Sequence, residues 1–85
     1  MAREMAEIQV LLPKADPSMT EGKVMEWSKK EGERVEVGDA LVMIETEKVE
    51  YPVEATSAGV LKKILAQPGD TVAVAQALAI IETEG

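Results

Sequence analysis

The sequence has 85 residues, enough for one domain, and its 46% hydrophobic and 29% charged residues are the mixture of a globular protein. The net charge of −7 argues against nucleic acid or an anionic membrane as a partner, since both require clustered Lys or Arg. His and Cys are absent, which excludes the common metal sites and catalysis by a thiol or an imidazole.

The start of the chain, "MAREMAEIQVLLPK", lacks the basic end, apolar run and small-residue cleavage site of a signal peptide. No run of about 18 apolar residues occurs, so the sequence predicts no membrane-spanning segment. We expect residues 1–6 to be an N-terminal extension and residues 7–85 to form the domain.

About eight short strands are predicted, with Gly32 and Gly69 supplying two of the turns and with no sustained helical period. The stretch "MEWSKKEG" is the most helix-like, but its place in the repeat described below favours a strand. Trp27 is expected in the core or over its edge. In chain order, the strands are centred on residues 8–12, 24–27, 35–37, 41–46, 49–55, 60–65, 72–74 and 78–83. These elements indicate an all-β fold, a flattened barrel or sandwich of two antiparallel sheets of about four strands each.

The second half of the chain repeats the first. With a shift of 37 residues, ten of the 27 positions in residues 22–48 are identical to those in residues 59–85. Chance would give roughly one or two matches, and two copies are too few for a solenoid. The repeat therefore predicts internal pseudo-two-fold symmetry. Lys48 and Gly85 are equivalent in it, so we expect the chain to turn back through Lys48 at one end and to terminate at the other.

Lys48 lies in a very short connection between two predicted strands, in "ETEKVEY". Two-residue hairpins usually adopt type I′ or II′ turns, with Gly or Asn supplying positive φ, and Glu47 and Lys48 suit neither. The sequence therefore predicts a type I or slightly longer turn with these two residues at its tip. Such a turn suggests recognition by something outside the domain, although a lysine at a hairpin tip is also an ordinary surface feature.

The segment from about Ile8 to Gly85 resembles a lipoyl domain of the dihydrolipoyl acyltransferases of 2-oxo acid or acetoin dehydrogenase complexes. Its most specific part, "IETEKVEYPVEA", is similar to the E-T-D-K-A attachment turn of that family. The resemblance implies that Lys48 carries covalently attached lipoic acid. The segment "LPKADPSMTEGKV" resembles the family's stretch before the second strand, which implies that Pro13–Met19 lies beside the turn and helps to select partners.

By this resemblance the domain is a swinging-arm carrier without catalytic residues of its own, and the parent protein is an acyltransferase. The implied partners are a lipoate ligase or lipoyl transferase, a thiamine-diphosphate-dependent decarboxylase, the acyltransferase catalytic domain and dihydrolipoamide dehydrogenase. The expected location is the bacterial cytoplasm, or the mitochondrial matrix if the protein is eukaryotic. Two interpretations of the neighbouring residues stay open: recognition of these partners, or simple solubility of the hairpin. These residues are Glu45, Glu47, Val49 and Glu50.

Five positions depart from the family pattern. Glu47 replaces Asp, Val49 replaces Ala, Thr56 stands where Pro is frequent, and Ala75 stands where Gly is frequent and is expected to alter the last turn. Pro52 interrupts a strand and has no N–H to donate, so it is expected at a sheet edge or a bulge. None of these changes removes the attachment lysine.

Other functions are weighed against this one. A biotin carrier of the same fold flanks its lysine as M-K-M, whereas Glu47 and Val49 flank Lys48. The lipoylated carrier protein of glycine cleavage is usually longer than this chain. An unmodified interaction domain of the same fold would tolerate loss of Lys48. A free-standing enzyme is disfavoured, because the 16 acidic residues are spread along the chain and no spacing singles out a catalytic pair.

Overall fold

The structure is a computed structural model that describes the backbone of residues 5–84 and the side chains of residues 6–83. All eight elements in this range are strands, which confirms the all-β prediction. They are β1 (Met5–Leu11), β2 (Glu21–Trp27), β3 (Arg34–Val35), β4 (Ala40–Glu45), β5 (Glu50–Glu54), β6 (Gly59–Ile64), β7 (Thr71–Ala73) and β8 (Ala77–Glu84). Within these residues, no helix is long and apolar enough to cross a membrane.

The strands form two four-stranded antiparallel sheets, as the sequence predicts. Their orders are β1-β8-β6-β3 and β5-β4-β2-β7. A shift of 37 residues converts β2, β3 and β4 into β6, β7 and β8, and β5 and β1 then take equivalent edge positions. Each sheet therefore contains one short strand from the other half of the repeat, which ties the two halves together.

The strand registers obey the same symmetry. Val24 pairs with Ile44 between β2 and β4, and Leu61 pairs with Ile81 between β6 and β8. A β-bulge follows each of these pairs at an equivalent place. The predicted pseudo-two-fold symmetry thus extends from the sequence to individual backbone pairings.

Two of the identical glycines lie where a side chain would clash with a neighbouring long strand, β4 or β8. Gly22 faces Val72 across β2 and β7, and Gly59 faces Val35 across β6 and β3. A Cβ atom at Gly22 would lie 2.6 Å from the Cγ2 atom of Ile44, and one at Gly59 would meet the backbone of β8 even more closely. Larger side chains at these two positions would push the strands apart.

The core lies between the sheets and is entirely apolar among the described residues. Trp27 packs against it, half-buried, and its indole N–H donates to the carbonyl oxygen of Ala66 over 2.8 Å. This agrees with its expected place at the edge of the core. The buried side chains are those of Val10, Leu12, Met19, Val24, Val35, Leu41, Val42, Ile44, Val53, Ala55, Leu61, Ala66, Val72, Leu78, Ala79 and Ile81.

The two ends of the described chain lie side by side. Met5 pairs with Glu84 between β1 and β8, so β1 begins two residues before the boundary that the sequence suggested at residue 7. Gly85, the predicted equivalent of Lys48, lies outside the described residues. Pro52 lies on β5, which is an edge strand, in agreement with its prediction.

Candidate functional site

Lys48 lies in the connection between β4 and β5, which comprises residues 46–49. The Thr46 N–H donates to the carbonyl oxygen of Val49 over 2.8 Å. The Thr46 hydroxyl oxygen accepts the N–H groups of Lys48 at 3.3 Å and Val49 at 3.1 Å, and the hydroxyl also lies 3.1 Å from the Val49 carbonyl oxygen. A threonine side chain, rather than the backbone alone, therefore closes this turn.

The turn is not of type I′ or II′. Among the described residues, Ala75 is the one non-glycine residue with a positive φ, so both Glu47 and Lys48 have negative φ. The predicted type I or longer turn is consistent with this backbone. Thr46 was missed as a functional residue from the sequence, although its identity with Thr83 in the repeat was visible there.

The tip of the hairpin is open to solvent. Glu47, Lys48, Val49 and Glu50 are exposed, whereas Glu45 is half-buried at the end of β4. The side-chain amine of Lys48 lies 3.3 Å from the Ser18 hydroxyl oxygen, to which it donates. The amine is therefore accessible to an external enzyme, and the predicted recognition residues are its neighbours along the hairpin.

Residues 13–19, here called the 13–19 loop, lie beside the hairpin, as the sequence suggested. Asp16 organises the loop: its carbonyl oxygen accepts the Met19 N–H at 3.1 Å, and its carboxylate accepts the Ser18 N–H at 2.8 Å and hydroxyl at 2.7 Å. These bonds from Ser18 hold the pKa of Asp16 below its ordinary value, and the charge of Lys48 adds a smaller effect in the same direction. The Lys48 amine thus begins a short chain of hydrogen bonds, in which it donates to the Ser18 hydroxyl and that hydroxyl donates to the Asp16 carboxylate.

A shallow groove of about 460 Å³ separates the hairpin from the 13–19 loop. Its walls combine acidic, hydroxyl and apolar groups, and Lys48 itself forms part of one wall. The lining residues are Asp16, Ser18, Met19, Thr20, Glu21, Gly22, Lys23, Glu45, Thr46, Glu47, Lys48 and Thr71.

Tyr51, which lies on β5, connects the hairpin to the 13–19 loop. Its hydroxyl donates to the Pro13 carbonyl oxygen over 2.8 Å and lies 3.5 Å from the Met19 sulfur. The ring is half-buried against the core, and this burial raises the pKa of the Tyr51 hydroxyl. The sequence analysis did not assign a role to Tyr51, although a lone tyrosine three residues after the lysine was a visible signal.

The charges around the hairpin are arranged differently from those at its symmetry equivalent. Glu45 lies opposite Glu50 between β4 and β5, just as Glu82 lies opposite Glu7 between β8 and β1. At the second pair, Lys62 contacts both carboxylates, and their proximity raises the pKa of Lys62, with Glu7 the larger cause. The residue equivalent to Lys62 at the first pair is Met25, whose side chain is exposed. At the first pair a lysine lies on the neighbouring strand instead, since Lys23 is opposite Glu45 whereas its equivalent Val60 is opposite Glu82.

The chemistry available at the site is that of an exposed primary amine. No group of three or more acidic side chains that could hold a metal ion occurs among residues 5–84. The nearby side chains can orient and attract a partner, and the amine can form a bond when an enzyme supplies an activated group.

Comparison with known proteins shows the family of this chain. A family model described as "Biotin-requiring enzyme", which covers biotin and lipoyl domains, matches residues 8–82. The chain belongs to this family. The resemblance to lipoyl domains, first read from "IETEKVEYPVEA", is thereby confirmed.

Three similar proteins carry this lipoyl-type fold. The dihydrolipoyllysine-residue succinyltransferase component of the 2-oxoglutarate dehydrogenase complex of Staphylococcus saprophyticus is 45% identical over 73 residues, which are 86% of this chain and 17% of that protein. The solution structure of the lipoyl domain of the 2-oxoglutarate dehydrogenase complex from Azotobacter vinelandii is 38% identical, with a TM-score of 0.71, and the match covers 92% of this chain and 98% of that one. Urea carboxylase of Kluyveromyces lactis is 29% identical over 89% of this chain and 6% of its own, with a TM-score of 0.76.

Proposed function

We propose that Lys48 of this lipoyl domain carries a covalently attached lipoyl group and that the domain moves this group between the active sites of a 2-oxo acid or acetoin dehydrogenase complex. The observation that carries the proposal is an exposed lysine at the tip of a threonine-closed hairpin, within a sequence similar to the family's attachment turn. The identity of 45% with a dihydrolipoyllysine-residue succinyltransferase component supports the assignment.

Attachment needs an activated lipoyl group supplied by a lipoate ligase or lipoyl transferase. The unprotonated amine of Lys48 attacks the carbonyl carbon, the activating group leaves with its bonding electron pair, and the nitrogen loses a proton as the amide forms. The product has lost the positive charge of the lysine. The exposed tip and the absence of positive φ at Glu47 and Lys48 suit this reaction, because the enzyme meets an uncovered and unstrained turn.

The side chains of the domain bind and present the arm. When bound, the lipoyl group supplies the redox and acyl-transfer chemistry. Thr46 holds the turn from which the arm extends, and Glu45, Glu47, Val49 and Glu50 form the surface that a partner meets first. The proposed partners are a thiamine-diphosphate-dependent decarboxylase, an acyltransferase catalytic domain and dihydrolipoamide dehydrogenase. Attachment to one polypeptide gives the arm a high effective concentration at these sites.

The proposal includes the setting of the domain. Residues 7–85 form the carrier unit, whose β1 is extended by Met5 and Ala6. Apart from the amide that Lys48 forms with the lipoyl group, the domain performs no bond chemistry with its own side chains. Its complex is located in the bacterial cytoplasm or, in a eukaryote, in the mitochondrial matrix.

A biotin carrier is the second candidate, because the family includes biotin-requiring enzymes and the fold matches that of urea carboxylase. The residues beside Lys48 favour lipoate. Glu47 and Val49 are both exposed, so a ligase can contact them, and they differ in charge and shape from the methionines of the M-K-M pattern.

Intact mass spectrometry tests the assignment. The domain is incubated with a lipoate ligase, lipoate and ATP, and in parallel with a biotin ligase, biotin and ATP. We expect a mass increase of one lipoyl group, no biotinylation, and no increase in Lys48→Arg. Lys30→Arg is the matched control, because Lys30 is an exposed lysine in a different turn. Biotinylation instead, or lipoylation that persists in Lys48→Arg, rejects the proposal.

A further inference from the structure

The two ends of the 13–19 loop are fixed by the segment between β7 and β8. The Leu12 N–H donates to the Gln76 carbonyl oxygen over 3.0 Å, and the Leu12 carbonyl oxygen accepts the Ala75 N–H at 2.9 Å. At the other end, the Thr20 carbonyl oxygen accepts the Val74 N–H at 3.0 Å. These bonds set where the loop starts and finishes, and they leave the position of its middle to other contacts.

Besides the 3.5 Å contact between the Tyr51 hydroxyl and the Met19 sulfur, two hydrogen bonds join the 13–19 loop to the Lys48 hairpin among the described residues. One is the bond from the Lys48 amine to the Ser18 hydroxyl, and the other is the bond from the Tyr51 hydroxyl to the Pro13 carbonyl oxygen. Acylation converts the amine into an uncharged amide, so the first contact depends on the modification state. The second does not involve Lys48 at all.

The ring of Tyr51 packs against the core, and its hydroxyl contacts the loop at the surface. Tyr51 pairs with Ile44 in the sheet, and its ring packs against the buried cluster. Its hydroxyl lies near the sulfur of Met19, a side chain that is 6% exposed, and that sulfur also accepts the Ala15 N–H at 3.2 Å. A single tyrosine thus meets the loop at the start, through Pro13, and at the end, through Met19.

Tyr51 and Lys48 belong to the same hairpin, separated by only two residues. The hairpin that carries the lysine therefore also carries the residue that contacts the loop at both of its ends. We propose that Tyr51 is a positioning residue whose hydroxyl holds the 13–19 loop beside the attachment turn in both the unmodified and the modified domain. This inference rests on the proposed function: it concerns the surface that a thiamine-dependent decarboxylase meets next to the arm.

Tyr51→Phe removes the hydroxyl and keeps the ring. Trp27→Phe is the matched control, since it removes another long-range bond from an aromatic side chain to a backbone carbonyl, away from the hairpin. Hydrogen exchange of the Ala15, Ser18 and Met19 amides is measured by NMR in the unmodified and lipoylated domains. In Tyr51→Phe we expect these amides to exchange about fivefold faster in both forms, which is the effect of losing one neutral hydrogen bond. Trp27→Phe leaves their exchange relative to the rest of the domain unchanged.

Kinetics of the lipoylated domain give a second readout. For reductive acylation by the decarboxylase, Tyr51→Phe is expected to raise KM about fivefold at constant kcat, because fewer molecules present the ordered loop. Unchanged loop exchange in Tyr51→Phe, or an equal change in Trp27→Phe, overturns the inference. Failure of Lys48 to accept a lipoyl group would reject the proposed function instead, and the exchange measurement on the unmodified domain would still decide the role of Tyr51.

Discussion

Ala75 occupies, with a φ of 72°, the position that Gly38 occupies with a φ of 91° in the other half of the domain. The two residues make equivalent bonds: the Gly38 N–H donates to the Ala55 carbonyl oxygen and the Ala75 N–H to that of Leu12. The expected alteration of the last turn by Ala75 is therefore wrong. The turn keeps its shape because the surrounding bonds impose it, and the alanine adopts a left-handed conformation that disfavours a Cβ atom.

Ala75→Gly should consequently stabilise the domain. Relief of the left-handed alanine outweighs the added freedom of glycine in the unfolded chain, and we expect a gain of about 0.5–1 kcal/mol in the free energy of unfolding. Urea denaturation measures it. Gly38→Ala is the reciprocal variant: a Cβ atom there has open space around it, so its loss of stability reports the backbone alone. A less stable Ala75→Gly would contradict this interpretation.

Thr46→Val should loosen the attachment turn. The substitution keeps the shape of the side chain and removes the hydroxyl that accepts two backbone N–H groups, so we expect a loss of about 1–2 kcal/mol in the free energy of unfolding. Thr83→Val is the control at the equivalent position, where the hydroxyl lies 3.5 Å from the Ala6 carbonyl oxygen. Thr46→Ser should restore most of the stability. Equal losses in Thr46→Val and Thr83→Val would show that the turn does not depend on the hydroxyl.

Asp16 should report the modification state of Lys48. Its pKa in the folded domain is lowered, so its stabilising contribution is fully present above the ordinary value of 3.8 and is lost as the pH falls through the lowered value. Carboxyl ¹³C titration by NMR measures this pKa. Ser18→Ala should raise it most, because the bonds from Ser18 are the largest cause, and Lys48→Gln or lipoylation should raise it less. A larger shift with Lys48→Gln than with Ser18→Ala would contradict the assignment.

Met25→Lys should stabilise the domain and Lys62→Met should destabilise it. Lys62 contacts Glu7 and Glu82, which face each other across β1 and β8. Met25 is its equivalent in the repeat, and Glu45 and Glu50 face each other across β4 and β5, so a lysine at residue 25 should reduce their repulsion. Urea midpoints at low and high salt measure both effects, which should shrink as salt screens the charges. Effects of the same size at both salt concentrations would point to side-chain packing instead.

Much of the fold could be predicted because local pattern and repeat agree. Alternation of apolar residues identifies the longer strands, and the 37-residue shift predicts equivalent pairings such as Val24–Ile44 and Leu61–Ile81. The same reasoning does not predict that β3 joins the sheet of β6 and β8 or that β7 joins the sheet of β2 and β4. Strands β3 and β7 have only two and three residues, which is too short for an alternating pattern to indicate their partners.

The site was predictable where it depends on neighbours in sequence. The exposed lysine and the turn type follow from residues 46–49, but the chemistry of the attached group comes from family resemblance. The bond from Tyr51 to Pro13 joins residues 38 positions apart, so it exists only once both sheets have formed. Likewise, the bulge that places Lys62 between Glu7 and Glu82 is decided by pairing rather than by composition.

The pairing of Met5 with Glu84 leaves an opening where the symmetry would place a second hairpin. Polypeptide joined before residue 5 and after residue 84 would leave the domain from two neighbouring strands, β1 and β8. A force on these added segments would act directly on β1 and β8 and not on the Lys48 turn. A short loop that joins residue 84 to residue 5 should therefore give a circularly permuted domain whose new ends lie elsewhere.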